Sequence, residues 1–381
     1  MKTLSYTLCA VLAAGFAFTG DAQVKPKSKK VTELKFSGRI QGQYDGIQTD
    51  DSSKDNRNHF YFRRLFLGGH AKLGDNWGGD VVIDFAASPN EESGGGDGDQ
   101  VFIDGASAWY KTGDHKFEIG QKKVPFGLEE TTSSSKTKAI ERSAVNRQFA
   151  EQLKFNARHT GLFAGGKFGE GYSYKAAVVN SGQNHYSKEG SLKGGEYGYE
   201  KNQLSYYGQL AYENYEGDVT YKLGAAAGVM ALDNTKKATK PDDLTAYNLF
   251  ATLGFGRFVL DAEYMTGTAS MKNGADHDHN GYSIQGSYAL SNAPLGSWEL
   301  VYRYSTVEND NGFVSAKEIV RRANVGESEV DEVDQHYIGV NYLFNGHDAK
   351  LMVGYEMNEL TENGLKVEEL DGFRARVQIL F

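Results

Sequence analysis

The last eleven residues, Asp371-Gly372-Phe373-Arg374-Ala375-Arg376-Val377-Gln378-Ile379-Leu380-Phe381, alternate between two kinds of side chain. In an extended strand successive side chains point to opposite faces. Phe373, Ala375, Val377, Ile379 and Phe381 therefore share one side, while Arg374, Arg376 and Gln378 share the other. The first readable strand repeats the pattern, with Leu34, Phe36, Ile40 and Tyr44 opposite Lys35, Ser37, Arg39 and Gln41. Such a wall suits lipid on one side and water on the other.

Working outward from these two ends, period-two alternation predicts sixteen strands. They fall at about 34–44, 58–73, 77–87, 101–111, 115–124, 157–168, 171–181, 203–213, 218–230, 246–254, 257–267, 280–290, 296–307, 334–345, 348–359 and 371–381. The connections segregate by length. After even strands they are short, as at Gly74-Asp75-Asn76, Gly113 with Asp114, Gly169 with Glu170, and Asn345-Gly346-His347; after odd strands they are long, as at 45–57, 88–100, 182–202 and 308–333. Short turns on one side and long loops on the other are the plan of a transmembrane barrel, and bacterial barrels carry an even number of strands.

Composition agrees. Tyr and Phe supply 23 and 21 residues, Gly 46 and Pro only 5, so strand formers alternate with turn formers. The longest mature apolar stretch, Gly224 to Leu232, is too short for a membrane helix, which takes roughly 20 residues. A chain of this kind can cross lipid only as a closed barrel, because lipid cannot satisfy unpaired backbone groups. The expected fold is all-β: about 16 antiparallel strands over 34–381 with short periplasmic turns, long external loops and an inward third loop. Trp77, Trp109 and Trp298 all adjoin short turns and are expected at the periplasmic interface, where indole rings favour the headgroup level. Phe381, closing an apolar strand, resembles the recognition signal of outer-membrane barrel proteins.

Lys2, the apolar run Leu8 to Phe18, and small residues up to Ala22 form a secretory signal pattern. Cleavage is expected after Ala22, giving a signal peptide at 1–22 and a flexible polar tail at 23–33. The destination expected is the outer membrane of a Gram-negative bacterium. The single cysteine, Cys9, lies in the leader, so the mature chain holds no disulfide or thiolate site.

Formal net charge is −9, with acids clustered in turn-rich stretches such as Glu327 to Asp334. No basic face for nucleic acid emerges. Against this background the loop at 125–156 stands apart. From Lys122 to Arg158 the cations are Lys122, Lys123, Lys136, Lys138, Arg142, Arg147, Lys154 and Arg158, against Glu129, Glu130, Glu141 and Glu151. Apolar residues punctuate it, and an unstructured loop of this length in a compact fold is usually functional. The excess cations would enrich anions at a constriction; equally, they are consistent with charges that pair among themselves on the rim.

Two stretches resemble the phosphate-selective porin O and P family. They are Phe62-Arg63-Arg64-Leu65-Phe66-Leu67-Gly68-Gly69-His70-Ala71-Lys72-Leu73 before Trp77, and the more specific Gly120-Gln121-Lys122-Lys123-Val124-Pro125-Phe126-Gly127-Leu128-Glu129 before Ser133, Ser134 and Glu141-Arg142-Ser143. The resemblance implies a homotrimeric outer-membrane channel in which basic residues guide phosphate. From the strand faces and the loop, the pore-lining residues expected to guide anions are Lys35, Arg39, Arg64, Lys122, Lys123, Arg142, Arg147, Arg158, Arg374 and Arg376. Guanidinium groups grip phosphate oxygens with paired hydrogen bonds. Asp80, Asp84, Asp261, Glu263, Glu299 and Glu356 share that face, so the expected lumen is mixed.

The rival reading is a general or saccharide-conducting porin, favoured by the many tyrosines. An enzymatic barrel needs a nucleophile, base and orienting group, and no Gly-x-Ser-x-Gly elbow is present. His277 and His279 read as an exposed loop pair without a third firm metal ligand. No cofactor is implied.

Overall fold

The structure, a computed structural model, describes residues 31–86, 101–180, 204–231, 241–271, 274, 276–291, 296–310, 314–326 and 329–381. The expected signal peptide and all but the last three residues of the expected tail lie outside these.

Eighteen strands are present among the described residues. The first eight are β1 (Val31–Thr49), β2 (Arg57–Leu73), β3 (Trp77–Asp84), β4 (Phe102–Thr112), β5 (His115–Lys123), β6 (Arg158–Phe168), β7 (Tyr172–Asn180) and β8 (Leu204–Asn214). Then come β9 (Val219–Ala231), β10 (Pro241–Phe255), β11 (Phe258–Met271), β12 (Asp276–Ala289) and β13 (Ser297–Asp310). After the short β14 (Val314–Ser315) and β15 (Glu329–Val330) follow β16 (Glu332–His347), β17 (Ala349–Glu362) and β18 (Leu365–Leu380). Sixteen of them close one antiparallel barrel, each beside its chain neighbour, with β18 returning to β1 from Arg39↔Leu380 to Thr49↔Leu370. All sixteen expected strands are there. β14 and β15 form a separate ribbon that the sequence reading left inside one long loop.

The two-faced rhythm explains closure. Phe373, Val377 and Ile379 stand exposed on the outer wall, while Arg374, Arg376 and Gln378 are buried inside. Short turns rely on glycine, as at Gly74 with φ of 63° and Gly113 with φ of 54°, because L side chains strain in the left-handed region. Among the described residues no helix is long and apolar enough to cross a membrane; the crossing elements are the strands.

Three expectations need correction. Trp77 and Trp298 lie exposed against Tyr110 and Tyr342, each with ring centroids 4.7 Å apart, but Trp109 is buried on the inner face against His70 and the Lys116 ammonium. Alternation in β4 puts it opposite its lipid-facing neighbour Ala108. The His277–His279 pair sits within β12, not in a loop, and His279 is buried beside Gln148 and Asn309. The first strand starts at Val31, three residues ahead of its expected start.

Candidate functional site

The connection between β5 and β6 folds into the barrel. Gly127 turns the chain with φ of 85° in a spot where a Cβ would lie 3.0 Å from Asn156 and 3.1 Å from Met265. A helical turn at Leu128–Thr131 follows. Ser143 then caps a second turn, Ala144–Arg147, with its hydroxyl accepting from the Asn146 amide, and a π-helical turn covers Gln148–Gln152. Phe126, Phe149 and Phe155 are fully buried. Phe155 meets Tyr207 of β8 at 5.1 Å, and the Tyr207 hydroxyl donates to the Phe155 carbonyl at 2.9 Å. The loop thus carries an apolar core of its own inside a polar lumen, which is why its sequence has aromatic punctuation.

Wall residues hold the loop. The Glu141 carboxylate meets the guanidinium groups of Arg63 at 2.9 Å, Arg376 at 2.8 Å and Arg147. Arg303 donates to the Glu141 carbonyl at 2.8 Å and pairs with Glu129 at 3.1 Å. Arg39 donates to the Ser134 hydroxyl at 2.6 Å, and Lys350 to the Thr137 carbonyl at 2.8 Å. Burial pushes the Glu141 carboxyl upward, but Arg63, Arg147 and Arg376 override it and hold it well below the usual carboxylate range. Glu130 shows the same balance: burial raises it, while Arg142 and Lys123 bring it below its ordinary value.

A second segment also turns inward. Val314, Ala316, Ile319 and Val320, around a helical turn at Ala316–Ile319, are buried in one cluster with Phe149 of the loop. Arg321 reaches Glu151 at 3.3 Å, and Arg374 donates to the Arg321 carbonyl at 3.2 Å.

These two segments leave open space along β2 to β9. An outer cavity of about 140 Å³, at the long-loop end, is lined by Arg63, Arg64, Lys123, Arg142, Arg158, Arg321 and Arg322 with Asp84, Asp104, Glu130 and Glu151. An inner one of about 750 Å³ runs toward the short turns, lined by Lys116, Lys122, Lys123, Arg158, Lys167, Lys175 and Lys222 with Asp80, Asp104, Glu118 and Glu213. The two meet at Asp104, Lys123 and Arg158, where Arg158 pairs with Asp104 at 2.6 Å and Lys123 with Glu130 at 2.6 Å. Together the described linings hold twelve cations and seven carboxylates, an inverted balance in a chain of net charge −9.

Of the expected anion-guiding residues, the structure brings five together along this passage: Arg64, Lys122, Lys123, Arg142 and Arg158. The other five do not line it. Arg147, Arg374 and Arg376 are 1–2% exposed and enclosed by carboxylates: Arg147 by Glu141 and Glu151, Arg374 by Asp45 and Glu356, Arg376 by Glu141. Arg39 is a loop anchor, and Lys35 meets Glu33 near the start of β1. Alternation assigns a face to each of these side chains but not a partner on it.

Lys175 and Lys222, which strand alternation puts on the inner face, also line the passage; sequence reading missed Arg63, Lys116, Lys167, Arg321 and Arg322 as passage residues. Arg63 sits in a register shift, since Gln41 pairs with Arg64 and Gly42 with Phe62. The bulge turns two successive arginines inward where strict alternation permits one. Asp104 occupies a similar shift, with Gly105 and Ile103 facing Val82 and Ile83. Among the described residues, no group of three or more His, Cys, Asp or Glu could hold a metal ion.

Comparisons with known proteins fit this architecture. Porin O of Pseudomonas aeruginosa is 26% identical over all of this chain and 98% of its own length. The anion-selective porin from Comamonas acidovorans shares the fold with a TM-score of 0.63 at 13% identity, covering 91% of this chain and 99% of that one. OmpF of Salmonella typhi, in a complex with daunomycin, does so with a TM-score of 0.60 at 15% identity, covering 92% and 98%. The family model for phosphate-selective porin O and P matches residues 34–381; the chain, a porin with a closed sixteen-strand barrel, belongs to that family.

Proposed function

We propose that the protein is an outer-membrane diffusion channel that passes anions in preference to cations, with phosphate or polyphosphate as the solutes it favours. The observation that carries this reading is the passage beside the third loop, where cations outnumber carboxylates in a low-dielectric enclosure. Walls of that kind focus the field and raise the local concentration of counter-charged solute. At the junction of the two cavities Lys122, Lys123 and Arg158 are already partly answered by Glu118, Glu130 and Asp104. The sites are then moderate in depth, so an anion passes from one to the next without being trapped.

Purified protein in a planar bilayer under a salt gradient is expected to give a reversal potential of anionic sign. A potential of cationic sign would defeat the reading. The tyrosines offer little to a saccharide reading: Tyr206, Tyr247, Tyr264, Tyr282, Tyr288 and Tyr302 are exposed on the outer wall, where aromatic girdles meet the membrane interfaces.

Export through a cleaved leader at 1–22 and assembly as a homotrimer belong to the same proposal. The outer wall of β3 to β7 supports the trimer. β3 has only eight residues and β5 nine, below and at the lower limit of the roughly 9–11 that a strand needs to span a bilayer. An apolar hollow of about 440 Å³ lies there, among Trp77, Ala108, Phe117, Ile119, Leu162 and Val178. A neighbouring subunit would cover what lipid fits poorly. Cross-linking in mild detergent is expected to stop at three chains, and a protein that runs as a monomer at every cross-linker concentration would remove this part.

A further inference from the structure

A further cavity, of about 210 Å³, lies between the third loop and the inner wall of β10 to β13, and it shares no lining residue with the passage. Six charged groups line it. Four of them are matched within the chain: Arg303 pairs with Glu129 at 3.1 Å, and Lys138 with Asp261 at 3.0 Å. Glu263 and Lys136 remain. Glu263 is 5% exposed. Its carboxylate accepts from the backbone amides of Leu128 and Glu129 and, at 3.0 Å, from the Asn248 side chain, yet among the described residues no cation lies within salt-bridge distance of it. Lys136 is exposed at the edge of the cavity and meets no carboxylate among the described residues.

Neutral groups complete the lining. Ser283 is 8% exposed, and Gln285 follows it on the same inner face of β12. Both side chains line the cavity, and neither has a hydrogen-bond partner among the described residues. The threonine hydroxyls are already engaged, since Thr252 donates to Asp261 at 2.7 Å and Thr132 to the Leu128 carbonyl at 2.8 Å. The chain therefore leaves one carboxylate, one ammonium, one hydroxyl and one amide facing the same space. A buried carboxylate without a cation is costly, and so is a buried polar group without a partner.

We propose that this cavity binds a small zwitterion, a molecule of amino-acid size whose ammonium meets Glu263 and whose carboxylate meets Lys136, with Ser283 and Gln285 supplying hydrogen bonds. A bare cation would answer Glu263 and leave Lys136 unmatched. An anion would answer Lys136 in the company of three carboxylates. One dipolar molecule answers both charges in a single binding event. The volume lies below the roughly 300–1,000 Å³ of sites for drug-sized molecules, so the occupant is small. Glu263 stands on β11 and Lys136 on the loop, so the occupant also ties the loop to the wall. The inference goes beyond the anion-channel reading and does not depend on it, because the cavity lies off the passage.

Isothermal titration of the full-length protein in detergent with glycine, β-alanine and 4-aminobutyrate, whose charges stand progressively further apart, tests it. Saturable binding of one molecule per chain is expected for at least one of the three, while propylamine and propionate, with one charge each, bind about tenfold more weakly or worse. Glu263→Gln is expected to raise the Kd of the best ligand about tenfold. Lys136→Gln, at an exposed position that does not endanger the fold, is expected to raise it about threefold. Lys122→Gln, in the passage, should leave it unchanged. In a planar bilayer the same zwitterion is expected to quiet open-channel noise as it saturates, since it fastens the loop and carries no current. No saturable binding by any of the three overturns the inference, as does equal binding of the singly charged molecules or a Kd unchanged in Lys136→Gln. A loss in Lys122→Gln equal to that in Glu263→Gln would place the molecule in the passage and overturn it too.

Discussion

Glu141→Ala is expected to release the third loop and at least double single-channel conductance. Its carboxylate is the common partner of Arg63, Arg147 and Arg376, drawn from β2, the loop itself and β18. Removing one partner of a buried ion pair costs about 3–5 kcal/mol, because an uncompensated charge is left behind. Here three guanidinium groups lose one acceptor together, which outweighs what the loop keeps: its apolar cluster and the outlying pairs of Glu129 with Arg303, Glu130 with Lys123 and Lys138 with Asp261. Conductance and open-channel noise should rise together, and the folded barrel should unfold at a lower temperature when followed by gel mobility. A variant with wild-type conductance and quiet openings would show that the loop is held by other means. The same carboxylate sets an acid limit. Its pKa in the folded protein is depressed, so its stabilisation is complete above the ordinary carboxylate range and disappears as pH falls through the lowered value. The wild-type loop should remain seated at pH 5.

The triple variant Lys122→Gln, Lys123→Gln, Arg158→Gln is expected to lower the anion-to-cation permeability ratio at least tenfold. A unit charge about 8 Å from a permeating ion is worth roughly 1 kcal/mol at an effective dielectric constant of about 40. Three such charges exceed the roughly 1.4 kcal/mol that corresponds to a factor of ten. The change is larger than simple loss of attraction, because Asp104 loses Arg158 while Glu118 and Glu130 each lose one cation and keep only Lys116 and Arg142, which leaves the junction more attractive to cations. Reversal potentials at two salt concentrations measure it, and the effect should shrink at high salt as the charges are screened. Selectivity equal to the wild type would move the filter away from the junction of the two cavities.

The strand plan was legible because each strand separates lipid from water, so its alternation is strict in the residues themselves. The last strand shows this best, with Phe373, Val377 and Ile379 outside and Arg374, Arg376 and Gln378 inside. Legibility ends where a face becomes crowded. Arg374 and Arg376 belong to the inner face as read, yet their guanidinium groups are enclosed by carboxylates from distant parts of the chain, 18 residues away for Glu356 and 235 for Glu141. No local pattern encodes such a partner. Arg63 and Asp104 escape for the opposite reason, since one extra residue in a ladder inverts the parity on which the reading depends. The second inward segment did leave a signal: Val314, Ile319 and Val320 are apolar residues between acidic stretches, a pattern that a solvated loop has no reason to keep.

The anchoring of Glu141 also orders events in time. Two of its three guanidinium partners sit on the second strand and the last, which become near neighbours only when β18 meets β1. A partly assembled barrel, still open along that seam, cannot yet own a finished filter. Sieving is thereby a property acquired at the final stitch, and an unsealed cylinder would leak without discrimination.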